Sequence, residues 1–506
     1  MNVDNEKIEQ SKKEGFNKSI ERADKLLIDY AKNECKLFSN EQNKPYASFW
    51  KDGHWQNYAV ESREFSDFLR SFFYKEKKLG LNKNTLDNAI STIAAMAVFD
   101  GHKNEVYLRV AQTSDAIYID MCNKKWQVIE VTNGGWSIID NSPVIFTRTS
   151  NMKALPFPMG GSGVDKLLKH INIKEGDLIL LTGWMSMALQ AGSGAYPVLM
   201  INGSAGSGKS TACRMLRALI DPNNADLISQ PSVGNMPIAA SNNHILAIDN
   251  VSNITPQISD SICKISTGDH QVIRELYTTR GEVVMSFKKP IILNGIPEMG
   301  KRSDLASRTL KLTLGKIVNR KTEDEAWRDF EEDAPSILKG LLDGQVYALA
   351  NYKNTEIDNM TRMADFCKWA TATNGAYKWL ESDFIDAYTK NVNASYVDSL
   401  ESSPFATAIV AMCESRDGFF GRPLALLELI ESNYTSEKVI RSSTWVKTPK
   451  GVIEQLDRNE MSFESVGIFY KKHKDRVNKT YIKIGSKEFV ETCDKVEDSQ
   501  HISSEF

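Results

Sequence analysis

The first stretch of the chain sets apolar residues Ile8, Phe16, Ile20, Leu27 and Tyr30 among charges. That roughly helical recurrence predicts a helical arm over residues 1–40, open to being either a solvated arm or a partner-binding helix. Residues 41–150 change period. SREFSDFLRSFFYKEKK and LDNAISTIAAMAVF repeat at helical spacing, whereas EVYLRVA, AIYIDM, KWQVIEV, WSIID and VIFTR are short alternating runs. Turn signals at Asp100-Gly101, Asn133-Gly134-Gly135 and Asn141-Ser142-Pro143 separate them, which predicts a small α+β domain. Trp126 and Trp136 are expected to pack its core, with base stacking as the other reading. The proline- and glycine-bearing run SNMKALPFPMGGSG, residues 150–163, is a boundary or a long ordered loop.

Residues 164–320 carry the strongest pattern. Val198 to Ile201 is a continuous apolar run, a glycine-rich stretch follows, and Met215, Leu216, Leu219 and Ile220 then recur at helical spacing. A buried strand, a loop and a helix are expected there. HILAIDN and PIILNG predict further buried strands. Over 321–395, SILKGLLDGQVYALANY and RMADFCKWATATNGAYKWL suit a helical lid. Residues 396–490 show helices at FATAIVAMCE, PLALLELIES and TWVKTPKGVIEQLDRNE, then strands at SVGIFYKKHK and KTYIKIG. Helices followed by a two-stranded wing predict a winged-helix-like unit. The closing DSQHISSEF is expected to fray.

The glycine-rich stretch Gly203-Ser204-Ala205-Gly206-Ser207-Gly208-Lys209-Ser210 satisfies G-x-x-x-x-G-K-[ST] in full, with Thr211 next in line. Its glycines let the backbone wrap phosphates with N–H groups pointing inward, and the helix that follows adds its positive end. Lys209 would set a cation against the β- and γ-phosphates and Ser210 a hydroxyl on Mg²⁺, so ATP with Mg²⁺ is the expected ligand. Asp249 ends the next apolar run and is the candidate for reaching the metal. Asn250 follows it, and an amide orients water but takes no proton from it. Asp260 and Asp269 are the nearby acids. Asn294 ends the PIILNG strand, placed to hold an attacking water. In KRSDLASRTLKLTL, Arg308 is the first candidate for an arginine that reaches a neighbouring subunit's γ-phosphate, and Arg302 the alternative.

Composition narrows the class. At 506 residues the chain exceeds a single core and implies several domains. A net charge of −3 rules out binding nucleic acid by bulk charge, so any DNA contact is local. Residues 470–487 supply such a patch: seven Lys or Arg against one acid, with Lys471, Lys472, Lys474 and Arg476 as candidate phosphate contacts. No apolar run approaches the length of a membrane span and no signal-like segment opens the chain. Seven scattered cysteines with no C-x-x-C pair fit a reducing cytoplasm and no structural zinc.

The order of P-loop, Walker B aspartate, sensor asparagine and arginine resembles the AAA+ ATPases of phages and mobile elements, related to superfamily 3 and D5-like replicative helicases. AYPVLMINGSAGSGKSTACRMLRALIDP, NHILAIDNVSNITPQISDSICKISTGD, RELYTTRGEVVMSFKKPIILNGI and RSDLASRTLKL carry the likeness, joined by RMADFCKW. The resemblance implies an α/β fold: an AAA+ P-loop core with an N-terminal α+β domain, a helical lid and a winged-helix-like C-terminal domain. It implies a homo-oligomeric, hexameric ring that moves on DNA during replication of the element. Asp249, Asn294 and Arg308 take the Walker B, sensor and finger roles. Residues 274–288 would form a hairpin entering the ring channel, with Arg280 at its tip and Lys264 and Lys288 as further DNA contacts. No primase-like metal constellation stands in the N-terminal sequence, so a separate primase or initiator is expected as a partner.

Three functions remain open on these grounds. The first is an ATP-driven DNA translocase or helicase. The second is a slow ATP switch, such as a DNA-bound initiator, loader or defence-associated ATPase, which Asn250 favours. The third is a protein remodeller, for which Tyr277 is the local pore candidate.

Overall fold

The computed structural model describes residues 23–192, 194–251, 254–274, 282–286, 288–295, 303–357, 362–443, 445–475 and 479–493. A helix running through residue 34 buries Leu27 and Ala31 completely. Strand Cys35–Ser39 follows and pairs antiparallel with Pro45–Lys51, which pairs with His54–Ala59. Of the first forty residues, the described part from residue 23 packs into the first domain through Leu27, Ala31 and Cys35, and residues 1–22 lie outside the described residues. The Asn40 side chain accepts from the N–H groups of Gln42 and Lys44, and Asn43 takes a left-handed φ of 59°, which turns the chain between the first two strands. Helices Arg63–Lys77 and Lys83–Phe99 cover this sheet with Phe65, Leu69 and Phe73, and with Leu86, Ala89, Ile93 and Ala97. A second sheet is a meander of Val110–Gln112, Ala116–Asp120, Val128–Thr132 and Gly135–Ile139. Its Ile117, Ile119, Ile129 and Val131 join the main core of the molecule.

Trp126 is buried against Arg148, whose guanidinium lies 3.8 Å from the ring centre, and Trp136 donates to Asp343 at 3.0 Å. Both indoles are thus taken up by packing. Residues 150–163 form an ordered loop, pinned by backbone bonds from Lys153 to Pro222, Leu155 to Met121 and Gly163 to Ser336.

The central layer is a five-stranded sheet. Its strands are β1 (Val198–Gly203), β2 (Ile228–Ser229), β3 (Leu246–Val251), β4 (Ile291–Gly295) and β5 (Thr309–Leu314), all parallel, in the order β2-β3-β4-β1-β5. The strands read as near-continuous apolar runs because both faces are covered. One face takes α1 (Leu178–Ala188), buried over its whole length, and α2 (Lys209–Ile220); the other takes α3 (Pro256–Thr267). An antiparallel hairpin, His270–Arg274 with Glu282–Ser286, leaves the sheet between α3 and β4.

Beyond β5 comes α4 (Glu323–Asn351), opened by a Thr322–Glu325 capping box, then α5 (Ala364–Thr373) and α6 (Glu381–Ser402). Asn391 of α6 accepts from the Lys311 N–H and donates to the Lys311 carbonyl, which covers the open edge of β5. The last unit runs helix Pro404–Ser415, strand Gly418–Gly421, helix Pro423–Asn433, helix Pro449–Ser465, then strands Phe469–Lys474 and Thr480–Gly485. Its three strands form one antiparallel sheet around a separate core.

Candidate nucleotide site

The site sits where parallel strands end and backbone N–H groups of a following helix begin. β1 stops at Gly203, residues 204–208 loop, and α2 starts at Lys209. Gly206 and Gly208 hold φ of +74° and +81°, a region that resists side chains, so the loop needs glycine at both. The Lys209 ammonium donates to the carbonyls of Gly203 at 2.9 Å and Ser204 at 3.1 Å, folding the cation back across the loop mouth.

Two neighbouring strand ends complete the cluster. The Ser210 hydroxyl donates to Asp249 Oδ1 at 3.0 Å. Asn294 Nδ2 lies 3.4 Å from Ser210 Oγ and 3.6 Å from Cys213 Sγ, and its Oδ1 accepts from the Asn250 N–H at 3.0 Å. Asn294 therefore ties α2 to the end of β3. At that point the β3–β4 register shifts, and Asn250 adopts a left-handed φ of 54°. Asparagine tolerates this conformation better than most side chains, which is a backbone reason for an amide there. Burial pushes the Cys213 thiol up to about 12, so it packs as a neutral group.

Oxygen donors at Ser210 and Asp249 suit a hard cation such as Mg²⁺, which ordinarily takes few protein ligands when phosphates supply the rest. No group of three or more His, Cys, Asp or Glu side chains that could hold a metal ion occurs among the described residues.

Arg308 stands at the opposite end of the sheet. In the β1–β5 register Thr309 faces Val198 while Leu314 faces Gly203, so Arg308 is roughly 20 Å along the strand from the loop. It is half-buried, with Nη1 4.0 Å from Cys263 Sγ, and cannot reach the loop of its own chain. Arg302 and Arg280, like Tyr277 and Arg476, lie outside the described residues. Lys264 is exposed near the C-terminal end of α3. Lys288 is half-buried; its ammonium donates to the Gly192 carbonyl, and burial lowers its pKa against the pull of Asp365. That side chain is engaged inside the fold and not presented as a surface contact. On the wing, Lys472 pairs with Asp457 at 2.7 Å and Lys483 is buried beside Phe420, while Lys471 and Lys474 are exposed.

One neighbour of the loop went unrecognised in the sequence. From Leu314 the chain turns across it: Ile317 Cδ1 is 3.1 Å from where a Cβ on Gly208 would stand, and Arg320 Nη2 is 2.6 Å from the same point on Gly206. Nothing in the spacing of Arg320 marks it, because its place follows from the register of β5.

The arrangement defines a mixed α/β protein built on a parallel sheet, with a glycine-rich loop and polar residues gathered at the strand ends. Residues 164–393 match the family described as the actinomycete integrative conjugative element replication protein, and residues 405–494 match the AICE RepA C-terminal domain. Over these two stretches the chain is similar to replication proteins of a mobile element. Among solved structures, the apo NrS-1 C-terminal region is similar over 92% of this chain and 98% of that chain, at 12% identity and a TM-score of 0.39. A second form of that region, residues 305–718, covers 89% of this chain and 96% of its own, at 12% identity and a TM-score of 0.36. No curated protein matches the chain. No helix among the described residues is long and apolar enough to cross a membrane.

Proposed function

We propose that this protein is an ATP-driven DNA translocase or helicase that works as a hexameric ring in the replication of a phage or mobile element. The observation that carries the reading is the Lys209–Ser210–Asp249–Asn294 cluster at the ends of three adjacent parallel strands. Lys209 and the loop N–H groups bind the phosphates, Ser210 and Asp249 hold the Mg²⁺ that neutralises their charge, and Asn294 orients the attacking water. Arg308, too far from its own loop, serves the neighbouring subunit. The antiparallel hairpin before β4 and the exposed wing lysines meet the DNA backbone, and the C-terminal unit acts as a winged helix. The match of residues 164–393 to a mobile-element replication protein supports DNA as the partner.

Asn250 favours a second reading, a slow ATP switch that holds a state on DNA. Steady-state hydrolysis with and without single-stranded DNA, at low and high salt, separates the two, with Lys209→Ala as the blank. The motor reading expects strong, salt-sensitive stimulation by DNA. Hydrolysis indifferent to DNA at every salt would exclude it.

A further inference from the structure

The segment between β5 and α4 lies over the phosphate loop and is fixed at both ends. At its start the Gly315 N–H donates to the Asn172 carbonyl at 2.9 Å. At its end Lys321 pairs with Asp329, Thr322 caps α4, and Arg214 of α2 bonds Glu323 at 2.9 Å. Arg320 differs from these neighbours. It is exposed, and among the described residues its guanidinium has no hydrogen bond or ion pair, although its Nη2 lies over Gly206. A methyl group at 206 would stand 2.6 Å from that nitrogen. Gly206 thus does more than permit a left-handed φ: it leaves room for a guanidinium directly above the loop backbone. Held there, a forked donor with a permanent charge faces whatever anion the loop cradles.

We propose that Arg320 contacts the polyphosphate of the nucleotide bound in its own chain, as a second cation opposite Lys209. The proposal rests on the nucleotide reading of Gly203–Ser210. It also separates two arginine roles: Arg320 acts on the phosphates in cis, Arg308 on those of the next subunit.

The test is calorimetric titration of the full chain with MgATP and with ADP, for wild type, Arg320→Ala, Arg320→Lys and Lys209→Ala. Arg320→Ala is expected to weaken both nucleotides about tenfold or more, the scale of a charge-assisted hydrogen bond, and Arg320→Lys by less. Because the side chain is exposed, the nucleotide-free melting temperature should match wild type. Wild-type affinity in Arg320→Ala, with affinity lost in Lys209→Ala, would overturn the role of Arg320 and leave the site standing. Absence of ATP binding by the wild type would overturn both.

Discussion

Asp221, which closes α2, is the buried anion that joins the second N-terminal sheet to the core. It accepts from Arg109 Nε at 3.2 Å and from the N–H groups of His244 and Ile245 at 3.1 Å each, and it pairs with Arg217 at 3.6 Å. All three charged side chains are about 1% exposed or less. Burial alone would raise the carboxyl; Arg109 and Arg217 outweigh it and hold its pKa below the ordinary value. Replacing Asp221 with Asn keeps the shape and removes the charge. The guanidiniums retain their carbonyl partners, Arg109 on Asp120 and Lys153, Arg217 on Ala225 and Asp226, but lose their counter-ion. Stranding buried cations in this way costs about 3–5 kcal/mol. For a domain of this size that corresponds to a fall on the order of 10 °C in melting temperature. Unfolding of a multidomain chain is not two-state, so the readout is the first thermal transition together with proteolysis of residues 106–155. The exposed pair Arg441–Glu437 provides the control, since Glu437→Gln should leave that transition in place. An Asp221→Asn melt within about 2 °C of wild type, the scale of a surface change, would refute the reasoning.

Further consequences can be measured independently. His244 is buried, and burial first, then the Lys289 ammonium, lowers its pKa to about 4 against the pull of Asp221. The unfolded chain therefore takes up this proton first, so stability is lost as pH falls from about 6.5 toward 4, by roughly 3 kcal/mol for this group. The stability difference between wild type and His244→Gln should follow that window, and a flat difference would contradict it. Arg308→Ala should retain nucleotide binding and lose hydrolysis by about 10³-fold. Mixing it with Lys209→Ala subunits should restore part of the activity, and failure of mixing would argue against a trans role. Ser210→Ala should lower hydrolysis about 10²-fold by misplacing the metal and phosphates, with the loss read from the Mg²⁺ dependence of the rate.

Much of the site is legible in the sequence because its chemistry coincides with its spacing. Gly203–Ser210 is contiguous, and Asp249 and Asn294 each end an apolar run, where a parallel strand must deliver them to the same edge. The hairpin Pro45–Ala59 escaped the sequence reading, although Asp52-Gly53, both at positive φ, mark its turn. Adjacent aromatics at Phe49-Trp50 obscure its alternation. Other features are fixed only by tertiary pairing. Arg109 and Asp221 meet across the whole intervening chain. Arg320 reaches Gly206 only because β5 lies beside β1. A count of wing lysines cannot tell Lys483, which is buried, or Lys472, which is paired, from Lys474, which faces solvent.

The most direct test of the central claim is displacement of a labelled strand from forked DNA, run with both fork polarities, ATP and Mg²⁺. The wild type should displace the strand on one polarity and Lys209→Ala on neither. ATP hydrolysis by the wild type without displacement on either fork would contradict it.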